Sequence, residues 1–172
     1  MIHVLRLGHR AGRDDRISTH VGLTARQWGC SGITYSGERD RPMMKSIRDI
    51  VERWGGDFSV EYREDWRKIL DEFEGAIVHL TMYGERVDEK EQELQDAFQE
   101  GDFLVVVGAE KVPQEVYREA DYNISVGNQP HSEIAALAVL LDRLTAIKED
   151  FEDAEIEVVP SGEEKLTKEP DQ

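Results

Sequence analysis

Residues 126–144, VGNQPHSEIAALAVLLDRL, join an irregular loop to a strongly apolar helix. The Gly, Asn and Pro residues of the first half disfavour both a regular helix and a central strand. In the second half, Ser132 is a suitable N-cap residue, and apolar side chains recur at helical spacing as far as Leu144. A loop that leads into a helix N-terminus presents several backbone N–H groups to a ligand. We therefore predict that this stretch forms half of a ligand site.

Strand and helix patterns alternate over most of the remaining chain. The predicted strands are 2–7, 31–36, 58–62, 75–84, 102–108 and 122–126, and the predicted helices are 18–28, 42–54, 65–73, 86–99, 113–120 and 134–144. The continuous apolar runs AIVHL and FLVVV are typical of parallel strands that are covered on both faces. We therefore predict an α/β fold, a mostly parallel sheet flanked by helices with right-handed crossovers.

Ligands of such sheets bind beyond the carboxyl ends of the strands. Three loops are predicted there: LTMYG (80–84), GAEKVP (108–113) and VGNQPHS (126–132). The chain contains no G-x-G-x-x-G, P-loop, H-E-x-x-H or C-x-x-C pattern, so the common nucleotide and zinc signatures are missing. The five histidines are scattered, and no metal site is predicted from them. The three loops are therefore the best candidate for a binding site.

The length of 172 residues is that of one domain. From Lys148 onward the composition changes to ten acids and three bases with few large apolar residues. We predict a domain over 1–147 and an acidic, poorly ordered tail over 148–172. The single cysteine, Cys30, and the lack of a signal-peptide pattern or an apolar membrane span predict a cytoplasmic protein that does not contact membranes.

The charge is unevenly distributed along the chain. It carries 37 acids against 21 bases, a net charge of −16, which suggests adaptation to a high-salt cytosol. Residues 1–30 nevertheless contain five arginines against only Asp14 and Asp15. Arginines favour bidentate contacts to phosphate, so this segment is a candidate for RNA or anion binding. The alternative is that some of these arginines pair with Asp14, Asp15 and the acidic helices.

Four segments carry a resemblance to a known family. They are LRLGHR-x-x-RD-x-R-x-x-TH from Leu5, IVHLTMYG, VVVGAEKVP-x-EVY and above all SVGNQPHSE with the helix after it. Together they resemble the archaeal tRNA 2′-O-methyltransferases that modify cytidine 56 in the T-loop, within the SPOUT class of trefoil-knotted methyltransferases. The resemblance implies a C-terminal deep trefoil knot, S-adenosyl-L-methionine as cofactor, tRNA as substrate, and a homodimer with helix 134–144 at its interface.

The resemblance also implies cofactor contacts in the same three loops that the strand-end argument identified. The implied residues are Leu80, Thr81, Met82, Gly108, Ala109, Glu110, Lys111, Val112, Val126, Gly127, Asn128, Gln129, Pro130, His131, Ser132 and Glu133. Of these, Glu110 and Glu133 are candidates to offset the positive charge of the sulfonium. We predict no metal ligand.

Transfer of the methyl group to a ribose 2′-hydroxyl requires in-line placement and removal of the hydroxyl proton. The class often assigns catalysis to an arginine near the first motif, which here is Arg16 or Arg26, and His20 is a further acid–base candidate. Arg10, Arg13, Arg16 and Arg26 are candidates to hold the target phosphate and steer the hydroxyl. The alternatives are a non-catalytic RNA-binding module and a small-molecule α/β enzyme, and the missing phosphate-binding signatures disfavour the second.

Overall fold

A computed structural model describes residues 1–169 and contains a six-stranded parallel sheet with helices on both faces. The strands are β1 Ile2–His9, β2 Gly32–Gly37, β3 Ser59–Tyr62, β4 Ala76–Arg86, β5 Phe103–Gly108 and β6 Tyr122–Ser125, and a separate antiparallel pair is β7 Glu157–Val159 and β8 Leu166–Lys168. The helices are α1 Asp15–Gln27, α2 Arg41–Trp54, α3 Trp66–Glu72, α4 Val87–Glu100, α5 Gln114–Glu119 and α6 Glu133–Leu144. The sheet order is β3-β2-β1-β5-β4-β6. The predicted α/β class is confirmed.

The apolar strands are covered on both faces, as the sequence predicted. Val105 and Val107 belong to a large cluster with residues of α1, α2, α4 and α6, while Leu104 and Val106 pack in a smaller cluster with residues of α3 and α5. Alternate residues of one strand point to opposite faces, so a continuous apolar run is needed where helices lie on both sides.

The first helix begins earlier than predicted. We predicted a start at Ser18, but α1 begins at Asp15. The carboxylate of Asp15 accepts a hydrogen bond of 2.6 Å from the N–H of Gly12, and it stabilises the first turn next to the positive end of the helix dipole. The start at Ser18 was therefore wrong, because an acidic first turn extends the helix upstream of the apolar pattern.

The pairing of strand β4 with β6 is interrupted by a register shift. Both Leu80 and Glu85 lie opposite Ile124, so residues 81–84 form an irregular, bulged stretch within β4, and the loop predicted over 80–84 is part of this strand. Gly84 lies so close to β6 that a Cβ atom there would be 2.4 Å from the carbonyl oxygen of Asn123. A side chain at this position would push the two strands apart, so this close return of the chain requires glycine.

Residues after α6 contact the ends of α1 and α2. The N–H of Lys148 donates to the carbonyl of Gln27 at 2.9 Å, and the N–H of Glu155 donates to that of Arg53 at 3.0 Å. The β7–β8 pair follows these contacts. The division of the chain at residue 147 and the poor order of the tail stay predictions, and residues 170–172 lie outside the described residues.

Within residues 1–169, each helix is too short or too polar to cross a lipid bilayer.

Candidate functional site

The three predicted loops meet at the carboxyl edge of the sheet. Strands β5, β4 and β6 are neighbours and run parallel, so the segments after β5 and β6 emerge beside the irregular stretch 81–84 of β4, which was predicted as a loop. They enclose a cavity of about 220 Å³. Its predicted lining residues are Leu80, Thr81, Met82, Gly108, Val126, Gly127, Gln129, Pro130, His131, Ser132 and Glu133. The structure thus brings most of the predicted cofactor residues together.

Two polar side chains of the third loop hold its shape. The amide of Asn128 donates to the carbonyl oxygens of Met82 and Gly84 at 2.8 and 3.0 Å, and so joins the third loop to the first. The ring of His131 contacts the carbonyl of Val126 at 2.5 Å. Ser132 accepts a hydrogen bond of 3.2 Å from the N–H of Ile134, which confirms it as the N-cap of α6. Asn128 does not line the cavity, so its role here is to position backbone.

A second cavity of about 860 Å³ shares Leu80, Thr81 and Gly108 with the first. The second loop supplies Glu110, Lys111 and Val112 to it, and Gly108 must be a glycine because a Cβ would lie 2.4 Å from Val112. Ala109 lines neither cavity, and its N–H donates to the carbonyl of Leu7 at 2.8 Å.

Two aromatic side chains that were not predicted from the sequence also line this second cavity. His79 and Tyr117 meet edge to face with their ring centroids 4.7 Å apart. Nδ1 of His79 contacts the amide oxygen of Asn123 at 2.8 Å, and burial lowers the pKa of His79. The sequence signal was the histidine inside the apolar run AIVHL, because a polar ring in a buried strand needs a partner.

Arg6 links two of the loops from inside the sheet. Its side chain is fully buried on β1 and donates to the carbonyl of Gly108 at 2.7 Å and to the carboxylate of Glu133 at 3.1 Å. Burial lowers the pKa of Arg6, and the charge of Glu133 opposes that shift. The guanidinium therefore fixes the end of β5 against the start of α6 by a charge-assisted fork.

Three buried side chains continue this network. Nε of Arg6 donates to Oγ of Ser18 at 3.1 Å, Ser18 contacts Nδ1 of His9 at 2.8 Å, and Nε2 of His9 contacts Asp40 at 3.2 Å. Because the carboxylate of Asp40 can only accept, Nε2 of a neutral His9 carries the proton, and Nδ1 then accepts from the hydroxyl of Ser18. The sequence signal for this network was Arg6 and His9 within a largely apolar strand, because buried polar side chains need hydrogen-bond partners.

The ligating atoms of His9, Asp15 and Asp40 lie within 4.8 Å of one another, a clustering that the scattered histidines did not indicate. Hydrogen bonds account for this cluster: Asp40 accepts from the N–H of Met43 at 3.0 Å, besides its contact with His9. Asp15 accepts from the N–H of Gly12. Both carboxylates therefore act at the starts of helices.

The arginines of residues 1–30 divide into paired and unpaired groups. Arg10 forms ion pairs with Asp14 at 2.8 Å and with Glu110 at 3.3 Å. Glu110 and Glu133 thus both have arginine partners of their own. Within residues 1–169, Arg13 and Arg16 have no carboxylate within 4 Å, and both are exposed.

The three catalytic candidates lie in two different places. Arg16 and His20 are exposed on the first turns of α1 and line a groove of about 340 Å³ with the start of α2, at the edge where the loops meet. Arg26 lies at the other end of α1, roughly 15 Å further along the helix axis. Its guanidinium donates to the carbonyls of Trp54 and Gly55 at 2.8 and 2.7 Å and stacks 4.0 Å from the ring of Phe151. The structure does not bring Arg26 to the three loops.

Comparison with known proteins gives one consistent family. Residues 54–168 match the family model described as "tRNA ribose 2'-O-methyltransferase, aTrm56". The tRNA (cytidine(56)-2'-O)-methyltransferase of Pyrococcus horikoshii is 55% identical over 164 residues, which are 93% of this chain and 81% of that protein. The protein of the same name from Methanocaldococcus jannaschii is 52% identical over 171 residues, covering 96% and 95% of the two chains.

Solved structures show the same fold at low identity. The Aquifex (A. aeolicus) TrmH/SpoU tRNA modifying enzyme superposes with a TM-score of 0.62 and 15% identity over 83% of this chain and 73% of that one. The SpoU methyltransferase AviRb from Streptomyces viridochromogenes, in complex with AdoMet, gives a TM-score of 0.60 and 14% identity. This chain covers 56% of the AviRb chain.

Proposed function

The chain belongs to the tRNA ribose 2′-O-methyltransferase family, and we propose that it transfers a methyl group from S-adenosyl-L-methionine to the ribose 2′-hydroxyl of cytidine 56 in the T-loop of tRNA. The observation that carries this proposal is the identity of more than half of the residues, over nearly the full length, with proteins named for that reaction. The three joined loops favour it over a non-catalytic RNA-binding module, which would have no use for a cavity between them.

The cavity between the loops, together with the larger cavity that adjoins it at Leu80, Thr81 and Gly108, provides space for S-adenosyl-L-methionine. Leu80, Ile124 and Val126 give it apolar walls for a purine ring, and the loop backbone supplies hydrogen-bonding groups. Gly127, with φ of +79°, has open space where a Cβ would lie, so the backbone is accessible to a ligand. The bound cofactor supplies an electrophilic methyl group, and the protein must align the acceptor and take up its proton.

Arg16 and His20 are the proposed groups on the RNA side. Arg16 is unsuited to act as a base because a guanidinium stays protonated at physiological pH, so it holds phosphate or polarises the hydroxyl. His20 is exposed in the same groove and accepts the hydroxyl proton. Arg26 is the less favoured candidate, because its guanidinium is already bonded to backbone carbonyls.

Three further proposals follow from family membership. The likeness to SpoU-type structures supports a C-terminal deep trefoil knot. Exposed Val139 on α6 and Ile17 on α1, two helices that pack together, support a homodimer across this surface. A tRNA-modifying enzyme of this kind belongs in the cytoplasm, as the sequence predicts.

The deciding experiment is transfer of label from methyl-labelled S-adenosyl-L-methionine to an unmodified tRNA transcript. We expect label on the ribose of cytidine 56, and none on a matched tRNA that carries a 2′-deoxycytidine there. Label on a base, or none at any salt concentration at which the protein is folded, contradicts the proposal. An RNA-binding module would instead bind tRNA and give no calorimetric heat with the cofactor.

A further inference from the structure

A pocket of about 590 Å³ outside the loop site carries a concentration of positive charge. It lies between the start of α2 and the end of β3, and four of its seven lining side chains are cationic while none is acidic: Arg39, Arg41, Lys45 and Arg48. The pocket thus has the opposite sign of charge from the chain as a whole, whose net charge is −16. Its composition indicates a ligand of negative charge.

Of these four cations, only Lys45 has a carboxylate partner among the described residues, and Arg39 and Arg41 have no side-chain hydrogen bond either. Lys45 pairs with Asp49 at 2.6 Å, and the guanidinium of Arg48 bonds to the carbonyl of Val60. Arg39 and Arg41 are exposed, and neither has a carboxylate within 4 Å in the part of the chain that the structure describes. Their charge therefore remains available to an incoming anion.

The pocket is also shaped for contact with a nucleotide. The guanidinium of Arg39 lies 5.4 Å from the ring centroid of Tyr62, and the hydroxyl of Tyr62 donates to the carbonyl of Gly37 at 2.8 Å, which fixes the ring. A fixed aromatic ring beside unpaired guanidinium groups offers both a stacking surface and phosphate contacts. A simple inorganic anion would need only the positive charge of the guanidinium groups and not the aromatic ring.

Its position relates the pocket to the proposed RNA groups. Arg39 and Arg41 follow β2, Arg13 and Arg16 follow β1, and the cofactor loops follow the next strands in the sheet order. Strands are spaced about 4.8 Å apart, so the β2 arginines lie roughly 14 Å from the end of β4 along the same edge. The unpaired arginines therefore form a row that leads away from the loops, as a chain of phosphates would require.

We propose that this pocket, with Arg39 and Arg41 as its charged groups, binds backbone phosphates of the tRNA at a distance of roughly 14 Å from the end of β4. The inference rests on the proposed function for the identity of the RNA. The pocket contributes to RNA affinity and takes no part in methyl transfer, because its side chains lie outside the cofactor loops.

The test compares Arg39→Gln/Arg41→Gln with Arg53→Gln/Arg118→Gln, which removes the same charge from exposed arginines at the ends of α2 and α5. Affinity for tRNA is measured at several salt concentrations at which circular dichroism shows all variants folded. Each lost phosphate contact lowers the slope of log affinity against log salt by about 0.7 to 0.9. We therefore expect this slope to be smaller by about 1.4 to 1.8 in the pocket variant than in the wild type, and unchanged in the control variant.

Steady-state kinetics provide the second readout. The pocket variant should raise KM for tRNA on the order of tenfold or more, while kcat at saturation and cofactor affinity stay at the wild-type values. Equal slopes and equal KM in the two double variants would overturn the pocket proposal and leave the methyltransferase proposal standing. If the wild type binds tRNA without methylating it, the proposed methyltransferase function is contradicted. The comparison of the salt slopes still tests whether the pocket binds phosphates.

Discussion

Arg6 and Arg26 are both buried, and the contrast between them separates the two ends of the molecule. Arg6 lies at the carboxyl edge and has a carboxylate partner, Glu133, as well as a serine and a loop carbonyl. Arg26 lies at the other end of α1, donates to the carbonyls of Trp54 and Gly55 at the end of α2, and stacks on the ring of Phe151. Burial lowers the pKa of each. The same residue type thus organises the candidate cofactor site at one end and holds the segment after α6 at the other.

The largest effect is expected at Arg6. Arg6→Met removes the cation between Gly108 and Glu133, and we expect a loss of about 2–3 kcal/mol in the free energy of unfolding. This is below the usual 3–5 kcal/mol for a broken buried pair, because the Glu133 side chain is 35% exposed and regains water. Chemical denaturation measures this loss, and calorimetry should show weaker cofactor binding.

A matched double variant checks the cause. In Arg6→Met/Glu133→Gln the unpaired carboxylate is also gone, so part of the lost stability should return. If the two single changes simply add, the two side chains do not act as a pair, and the contrast with Arg26 loses its basis.

A smaller effect is expected at Arg26. Arg26→Met leaves the carbonyls of Trp54 and Gly55 unpaired, which should cost about 1–2 kcal/mol, while turnover on tRNA stays near the wild-type value. The comparison variant is Arg16→Gln, which should lose turnover with little change in stability because the Arg16 side chain is exposed. Loss of turnover by a folded Arg26→Met protein would instead make Arg26 the catalytic arginine.

These two arginines also show how far the sequence alone leads. The apolar runs, and the Gly, Pro and polar residues between them, predict the parallel sheet. They therefore also predict that the loops after β4, β5 and β6 meet. They do not indicate which arginine faces which edge, because Arg16 and Arg26 lie on one helix and their surroundings come from distant segments. Phe151 and Trp54 reach Arg26 only through tertiary packing, and the composition of residues 148–172 suggested no such contact.

Acid should weaken the loop edge through His79. Burial lowers the pKa of His79 in the folded protein, so below the ordinary value of 6.5 the unfolded chain binds a proton that the folded chain resists. This contribution to stability is complete above pH 6.5 and is lost as the pH falls toward the lowered pKa, by up to about 1.4 kcal/mol per pH unit. Denaturation of wild type and His79→Gln at stepped pH measures it. The free energy of unfolding of the variant should fall less steeply at acid pH than that of the wild type. Identical dependences on pH would exclude His79 as the source of this acid effect.

The smallest effect is expected where the segment after α6 meets Arg26. Phe151→Ala removes the ring that lies 4.0 Å from the Arg26 guanidinium, and a cation–π contact of this kind is worth about 1 kcal/mol. We expect a small loss of thermal stability, unchanged cofactor affinity and unchanged turnover. Val158→Ala is the matched control, since that side chain is 60% exposed on the β7–β8 pair. Equal stability of Phe151→Ala and Val158→Ala would mean that residues 148–169 are bound too loosely to stabilise α1. The role of Arg26 would then reduce to joining α1 to the end of α2.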